Sequence, residues 1–365
     1  MGGAKSQVSA ALVFTMMLSS QVQSAEGPSW PEMFWHLLKR ARELAGQVLE
    51  VKGRGNLLAI TNASFARVRG EETISLLDLI QQQTGCSQGA KNLIALRSAP
   101  DRPLYLFFFN REREEAAYLE LKPEVDWREW MGEDRGEIFS RVTLAELPVE
   151  DILADPAKWE KRFQAEKMFG GDEIRLASIS LLWREGLPQE LIKALEIHDH
   201  ICPGLLSGYF LVRFLLDQLS PHRDADYFVV SSPVWCKDDL VQSVLNVTVG
   251  KENLIVFPLS DSEKEHLADP NAAGIFFQRH RRMGGAKGIV LGFDWRRMAE
   301  DARLEGDWYS WGSRLRLALF MARHREEYAR YVYTIKRLQL EPGEELKGYF
   351  PMGDNPWKRV GLWRD

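Results

Sequence analysis

The chain has 365 residues, 45% of them hydrophobic and 27% charged, which is enough apolar material for a sizeable core and enough length for two domains. Global disorder is excluded. Lys and Arg total 47 against 52 Asp and Glu, a net charge of −5, so no broad field attracts nucleic acid or an anionic membrane, and neither is expected as a partner.

The N-terminus reads as an export signal: Lys5, an apolar run from Val8 to Leu18, then small and polar residues to Ser24 and Ala25. Residues 1–25 are expected to be removed, giving an exported, periplasmic protein; an N-terminal helix is the alternative. No later stretch reaches the roughly 18 uninterrupted apolar residues of a membrane-spanning helix, so the mature chain is expected to carry no transmembrane segment.

Hydrophobic periodicity then predicts an amphipathic helix over 32–47, a strand over 56–61, a helix over 74–84 and strands over 93–96, 104–109 and 117–121. Residues 147–172, with two prolines and many charges, read as a connection. A helix over 187–195 leads into a second series: a helix over 203–219, a strand over 227–231, a helix over 238–245 and strands over 254–257, 274–277 and 288–293. Residues 314–337, rich in Arg with interleaved Tyr, fit a solvated amphipathic helix better than a nucleic-acid surface. Gly89 and Gly250 are expected in the left-handed position between helix and strand.

The two series are related in sequence. Residues 78–93, DLIQQQTGCSQGAKNL, align without a gap on residues 239–254, DLVQSVLNVTVGKENL, and Val125-Asp126-Trp127-Arg128 answers Phe293-Asp294-Trp295-Arg296. The fold class is therefore α+β, as two tandem related units over 26–170 and 171–365, the second with a helical C-terminal extension. Such a chain is a pseudo-dimer in itself, with a homodimer as a further option.

Residues 196–209 read EIHDHICPGLLSGY. In an extended segment His198, His200 and Cys202 share one face, and Pro203 suits the first position of a helix, which places Cys202 at its N-cap, where the dipole favours a thiolate. Cys236, in SSPVWCKDDLVQ, stands at a second strand-to-helix junction, with Asp239 one turn on. Two imidazoles and two thiolates suit one transition metal, zinc first and nickel, cobalt or iron next. A Cys202–Cys236 disulfide with surface histidines is the competing reading. Asp239 and Lys251 are the candidates for assisting catalysis. Lys251 is replaced by Ala90 in the first unit and so tracks the intact site, whereas Asp239 recurs there as Asp78.

HDHICPGLLSGY followed by CKDDLVQSVLNVTVGKENL resembles the FmdE family of formylmethanofuran dehydrogenase, whose hallmarks are H-x-H-x-C-P-G-x-x-x-G-Y and C-x-x-D-x-x-Q with a downstream T-x-G-K-x-N. The resemblance implies an α+β core with a metal-associated His/Cys pocket and covers residues 185–260 well. Asp199 and Asn246 stand where the family usually has Gly, and no Cys follows Cys236 to form the zinc ribbon that often ends the family's chains. The first unit reads as a degenerate copy, with Ser75 at the counterpart of Cys236 and His36 in a helix without Cys-Pro-Gly. It is expected to pack against the second unit and to roof its pocket. Cys86, aligned with Val247, reads as buried apolar filling. Three functions are open: a metal-binding or metal-delivering protein, an enzyme whose metal keeps an open position for a small molecule, and a thiol-disulfide protein using Cys202 and Cys236.

Overall fold

Two five-stranded sheets, with helices on their faces, organise the chain as an α+β fold. The computed structural model describes residues 29–125, 137–282, 284–344, 346–351 and 353–364. The expected export segment and the Asp126-Trp127-Arg128 match lie outside the described residues.

Helix α1 (Trp30–Ala45) has Pro31 in its first turn, buries Met33, Phe34, Leu37, Leu38, Ala41 and Ala45, and stops at Gly46, whose φ of +49° favours glycine. After it come β1 (Leu57–Thr61), a ribbon of β2 (Arg67–Val68) and β3 (Glu71–Glu72), α2 (Leu76–Thr84), β4 (Leu93–Ala95), β5 (Tyr105–Asn110), β6 (Glu115–Leu121) and β7 (Phe139–Glu146). The strand order is β4-β1-β5-β6-β7, with β1 and β4 parallel and the other pairs antiparallel. The connection beyond β7 is helical: α3 (Val149–Ala154) and α4 (Pro156–Glu166), then α5 (Glu173–Trp183) and α6 (Gln189–His198).

The second series is α7 (Pro203–Gln218), β8 (Ala225–Ser231), α8 (Lys237–Leu245), β9 (Leu254–Val256), α9 (Asp261–Lys264), β10 (Ala272–His280), β11 (Ala286–Phe293), α10 (Trp295–Asp301), α11 (Trp311–Arg323), β12 (Val332–Leu340), α12 (Leu346–Tyr349) and α13 (Pro356–Arg359). Its sheet runs β9-β8-β10-β11-β12, again with one parallel pair, β8 with β9.

The local details of the two sheets agree as well. Ala59 lies opposite Leu93, and Val229 opposite Leu254. Asn92 Oδ1 accepts the Ser87 N–H, and Asn253 Oδ1 accepts the Thr248 N–H, both at 2.9 Å. The left-handed residues before β4 and β9 are not Gly89 and Gly250 but Gly85 and Asn246, which cap α2 and α8, together with Lys91 and Glu252. Asn tolerates that conformation through its short polar side chain, so Asn246 can stand in a glycine position.

Three apolar layers result. One packs α1 and α2 on one face of the first sheet through Leu37, Ile80, Leu106 and Phe108. The central layer lies between the two sheets and joins Leu58 and Ile60 to the connecting helices, α7, α8 and the inner face of the second sheet, including Phe276 and Leu291. The third covers the outer face of the second sheet with Phe350 and Trp357.

The stretch 314–337 departs from the expected single helix: α11 ends at Arg323, and Val332–Leu340 pairs with β11 from Phe293 opposite Val332 to Ala286 opposite Leu340. The β-branched and aromatic run Val332-Tyr333-Thr334-Ile335 suits a strand, and the edge of β11 is available to it. No helix among the described residues is long and apolar enough to cross a membrane.

Candidate metal centre

His198, His200, Cys202 and Cys236 come together, with one potential ligand atom from each lying within 4.8 Å of the others. They do not do so through an extended strand. His198 is the last residue of α6, and Asp199 caps that helix in the left-handed conformation, φ +61° and ψ −6°, with its N–H donating to Leu195 O at 2.8 Å. This turn redirects the chain so that the rings of His198 and His200 lie 4.2 Å apart, centroid to centroid. A Gly would adopt this conformation freely, which accounts for the glycine usual at this position in the motif.

Cys202 is the N-cap of α7, with Pro203 next, and its Sγ accepts the Leu205 N–H at 3.3 Å. Cys236 occupies the N-cap position of α8. The two N-termini approach closely because α7 carries glycines four residues apart. A Cβ on Gly204 would stand 3.0 Å from Cys236 Cβ and 3.2 Å from its Sγ, and one on Gly208 would stand 2.7 Å from the Lys237 carbonyl oxygen. The Cys-Pro-Gly-x-x-x-Gly pattern is thus the condition for bringing the second thiol to the first.

Each histidine is oriented by a carboxylate. His198 Nδ1 lies 2.6 Å from Asp239 Oδ2, and its Nε2 lies 3.7 Å from Cys202 Sγ. His200 Nδ1 lies 3.0 Å from Asp199 Oδ1 and 3.1 Å from the His198 carbonyl. Both Nδ1 atoms are engaged, which leaves Nε2 of each ring as the ligating atom, the arrangement in which an outer carboxylate fixes the tautomer and the ring. Asp199 is itself held by Arg175 at 3.3 Å, and Arg175 also pairs with Asp172 at 2.9 Å.

The charges follow from the contacts. Burial pulls the His198 imidazole down, but hydrogen bonds to Asp239 and Cys236 outweigh it and raise the group to about 9. The Cys202 hydrogen bond, His198 and the nearby His200 charge hold Cys236 down to about 4 against the effect of burial. Cys202 is pushed up by its hydrogen bond to Cys236 and by burial. In the metal-free group these contacts favour a proton on His198 and, within the thiol pair, negative charge on Cys236 rather than on Cys202. Two imidazoles and two sulfurs at this spacing fit a metal of the zinc type, which accepts both donor kinds.

Lys251 is not part of this group. Its Nζ donates to the carbonyl and side-chain oxygens of Asn246, and it lines a separate cavity with Arg279 and His280. The turn it belongs to is a capping device, in which the Lys251 N–H donates to Thr248 Oγ1 at 3.3 Å. The lysine that does stand beside the centre is Lys237, wholly buried, its Nζ 2.9 Å from Pro233 O, 2.7 Å from Asp238 Oδ1 and 4.0 Å from the Trp235 ring centroid. Sequence reading passes over it because a Lys in a polar helix start normally signals solvent.

Among the described residues, none of 29–170 lines the cavity beside the centre, so the expected roof is not seen there. The first unit braces α5 and α6 instead: the Trp183 indole N–H donates to Lys91 O at 2.9 Å, and the Arg97 N–H to Glu196 O at 3.4 Å. A cavity of about 260 Å³ borders the centre on the side of His200 and Cys202, and its walls come from α5 and α11. The His198 side chain is 11% exposed and that of His200 41%, so the centre is open on the His200 side. Ser75, which aligns with Cys236 in sequence, takes the same N-cap backbone conformation without a thiol. Cys86 is buried, its Sγ 3.5 Å from Leu57 O. None of the three cysteines is in a disulfide.

A second His/Asp group, His222, Asp224 and His280, also has potential ligand atoms within 4.8 Å of one another. It sits among Arg223, Arg281 and Arg282, with the first and last near Asp224 and Arg281 paired to Asp226. Nothing in the spacing of these residues along the sequence announces it.

Residues 197–299 match the family described as FmdE, molybdenum formylmethanofuran dehydrogenase operon. That segment is an FmdE-like domain, and it contains all four ligand candidates, Asp239 and strands β8 to β11. No match to the chain was found among curated proteins.

Proposed function

We propose that this chain is an exported protein that binds one transition metal, zinc before nickel or iron, through Nε2 of His198 and His200 and Sγ of Cys202 and Cys236. The observation that carries this reading is the convergence of these four donors within 4.8 Å, each imidazole having a carboxylate on its other nitrogen. A disulfide between the two cysteines would leave that orientation of both rings without a role. When bound, such a metal supplies Lewis acidity toward an oxygen or nitrogen ligand. The residues supply the rest: Asp239 and Asp199 hold the rings, and Gly204 lets the two sulfurs approach.

The test is metal content of the purified chain against His200→Ala and Cys202→Ala. About one equivalent in the parent and a marked loss in both variants is expected. Retention of metal in both variants, or a metal-free parent with Cys202 and Cys236 oxidised, contradicts the proposal and favours the thiol-disulfide reading.

Residues 26–170 are, in the same proposal, a degenerate copy that makes the chain a pseudo-dimer and braces the helix carrying His198. The shared strand order, register and Asn92/Asn253 turn support this. The apolar run from Val8 to Leu18 supports export. Mass spectrometry of the mature N-terminus, expected near residue 26, tests the latter.

A further inference from the structure

The cavity beside the centre has a chemistry of its own. His200 and Cys202 form part of its lining, while His198 and Cys236 do not. A molecule in the cavity therefore meets the centre from its solvent-open side. The lining also includes two arginines, Arg175 and Arg314, and Ser178.

The charge balance of these walls is uneven. Asp172 also lines the cavity, but its carboxylate is taken by Arg175 at 2.9 Å, and the remaining charge of Asp199 is taken by Arg175 and His200. Arg314, exposed on the first turn of α11, enters no ion pair or side-chain hydrogen bond among the described residues. The first turns of α5 and α11 and the N-cap of α7 border the same space, and the last two are capped by Ser310 Oγ and Cys202 Sγ, so Arg314 is the unpaired positive group of these walls among the described residues. The rest of the wall is apolar, from Ile174, Trp311 and Leu315. Trp311 is fixed there by its indole N–H, which donates to Ser178 Oγ at 3.1 Å.

From this arrangement we infer that the cavity takes a small carboxylate with a short apolar stem, its carboxylate on Arg314 and its stem along Trp311 and Leu315. A planar guanidinium matches a carboxylate by two parallel hydrogen bonds, which an amide or an amine cannot reproduce. The volume of about 260 Å³ leaves room for a guest of this size. The inference rests on the metal reading for the role of such a guest, though not for its binding.

The full chain loaded with Co(II) is titrated with butyrate, and separately with butyramide and butylamine, by calorimetry and by the visible Co(II) spectrum. Saturable binding of butyrate is expected, with a change in the Co(II) spectrum and no comparable response to the other two. Arg314→Gln is expected to weaken butyrate binding at least about tenfold, and Arg314→Lys less than that. Absence of saturable butyrate binding, an equal response to butylamine, or unchanged binding in Arg314→Gln overturns the inference while leaving the metal site intact. If the chain takes up no Co(II), the metal reading fails, and the same calorimetric titration of the metal-free chain decides the carboxylate site: binding that Arg314→Gln weakens sustains it, and no binding overturns it.

Discussion

His198 Nδ1 and Asp239 Oδ2 are 2.6 Å apart, a short hydrogen bond that sets the ligating face of the first histidine. Asp239 aligns in sequence with Asp78, which has no Cys three residues before it and no His-x-His-x-Cys upstream. Its presence at the centre is thus explained by what it touches there. Asp239→Asn keeps the shape but replaces the charge, and it is expected to lower metal affinity about 10–100-fold without abolishing binding. Competition with a chelator of known affinity checks this; an unchanged affinity would mean that the contact does not orient the ring.

The same pair affects the metal-free protein. The His198 imidazole is raised from 6.5 to about 9 in the folded chain, so its contribution to stability is complete below 6.5 and is lost as pH rises through about 9. The stability difference between the parent and Asp239→Asn should then be largest, on the order of 1–2 kcal/mol given that Asp239 is partly exposed, on the acid side of 6.5, and should shrink through 9. Denaturant unfolding of both proteins without metal across this window measures it. A difference that grows with pH would reverse the assigned sign.

Metal uptake must release protons. With His198 and Cys202 raised and Cys236 lowered, the metal-free chain is expected near neutral pH to hold protons on the first two and not on the third. These three groups are expected to release about two protons per metal, measurable by calorimetry in buffers of different ionisation enthalpy. Release of fewer than about one would contradict the protonation states assigned here.

The two glycines of α7 should separate binding from folding. A methyl at Gly204 meets the Cys236 side chain at 3.0–3.2 Å, whereas one at Gly208 meets the Lys237 backbone at 2.7–2.9 Å. Gly204→Ala is expected to weaken metal binding with little loss of stability. Gly208→Ala should destabilise the whole domain by about 1–3 kcal/mol, since backbone cannot move aside as a side chain can. Equal effects of the two on both measurements would refute this division.

Lys237 and Lys251 make a further contrast. Removing the Lys237 ammonium leaves the buried Asp238 carboxylate without its partner at 2.7 Å, so Lys237→Ala should cost about 3–5 kcal/mol of stability. Lys251→Ala, at an exposed turn, should leave metal binding unchanged and stability within about 0.5 kcal/mol. Thermal unfolding and metal content of the two variants check both statements.

The four ligand candidates were legible because both thiols stand at helix starts and the histidines are local to one of them. The geometry between them was not. Alternation along an extended segment would also place His198, His200 and Cys202 on one face, but the actual path runs through the left-handed Asp199, which a sequence pattern cannot distinguish from a solvated acid. Strand β7 escaped notice because its edge position leaves Ser140, Val142 and Leu144 exposed and blurs the apolar alternation. Strand β12 was hidden by the charges of Lys336 and Arg337, although its pairing with β11 decides the matter. Arg175 and Arg314 could not be assigned at all, since only the packing of α5 against α11 brings them to the cavity.

Whether the four side chains hold a metal is decided by X-ray absorption at the metal edge of the anaerobically purified chain, with total metal measured on the same sample. About one equivalent is expected, with a mixed shell of nitrogen and sulfur neighbours from which the sulfur component falls in Cys236→Ser. A shell of oxygen and nitrogen without sulfur, or a spectrum unaltered by Cys236→Ser, would rule out the His/Cys centre.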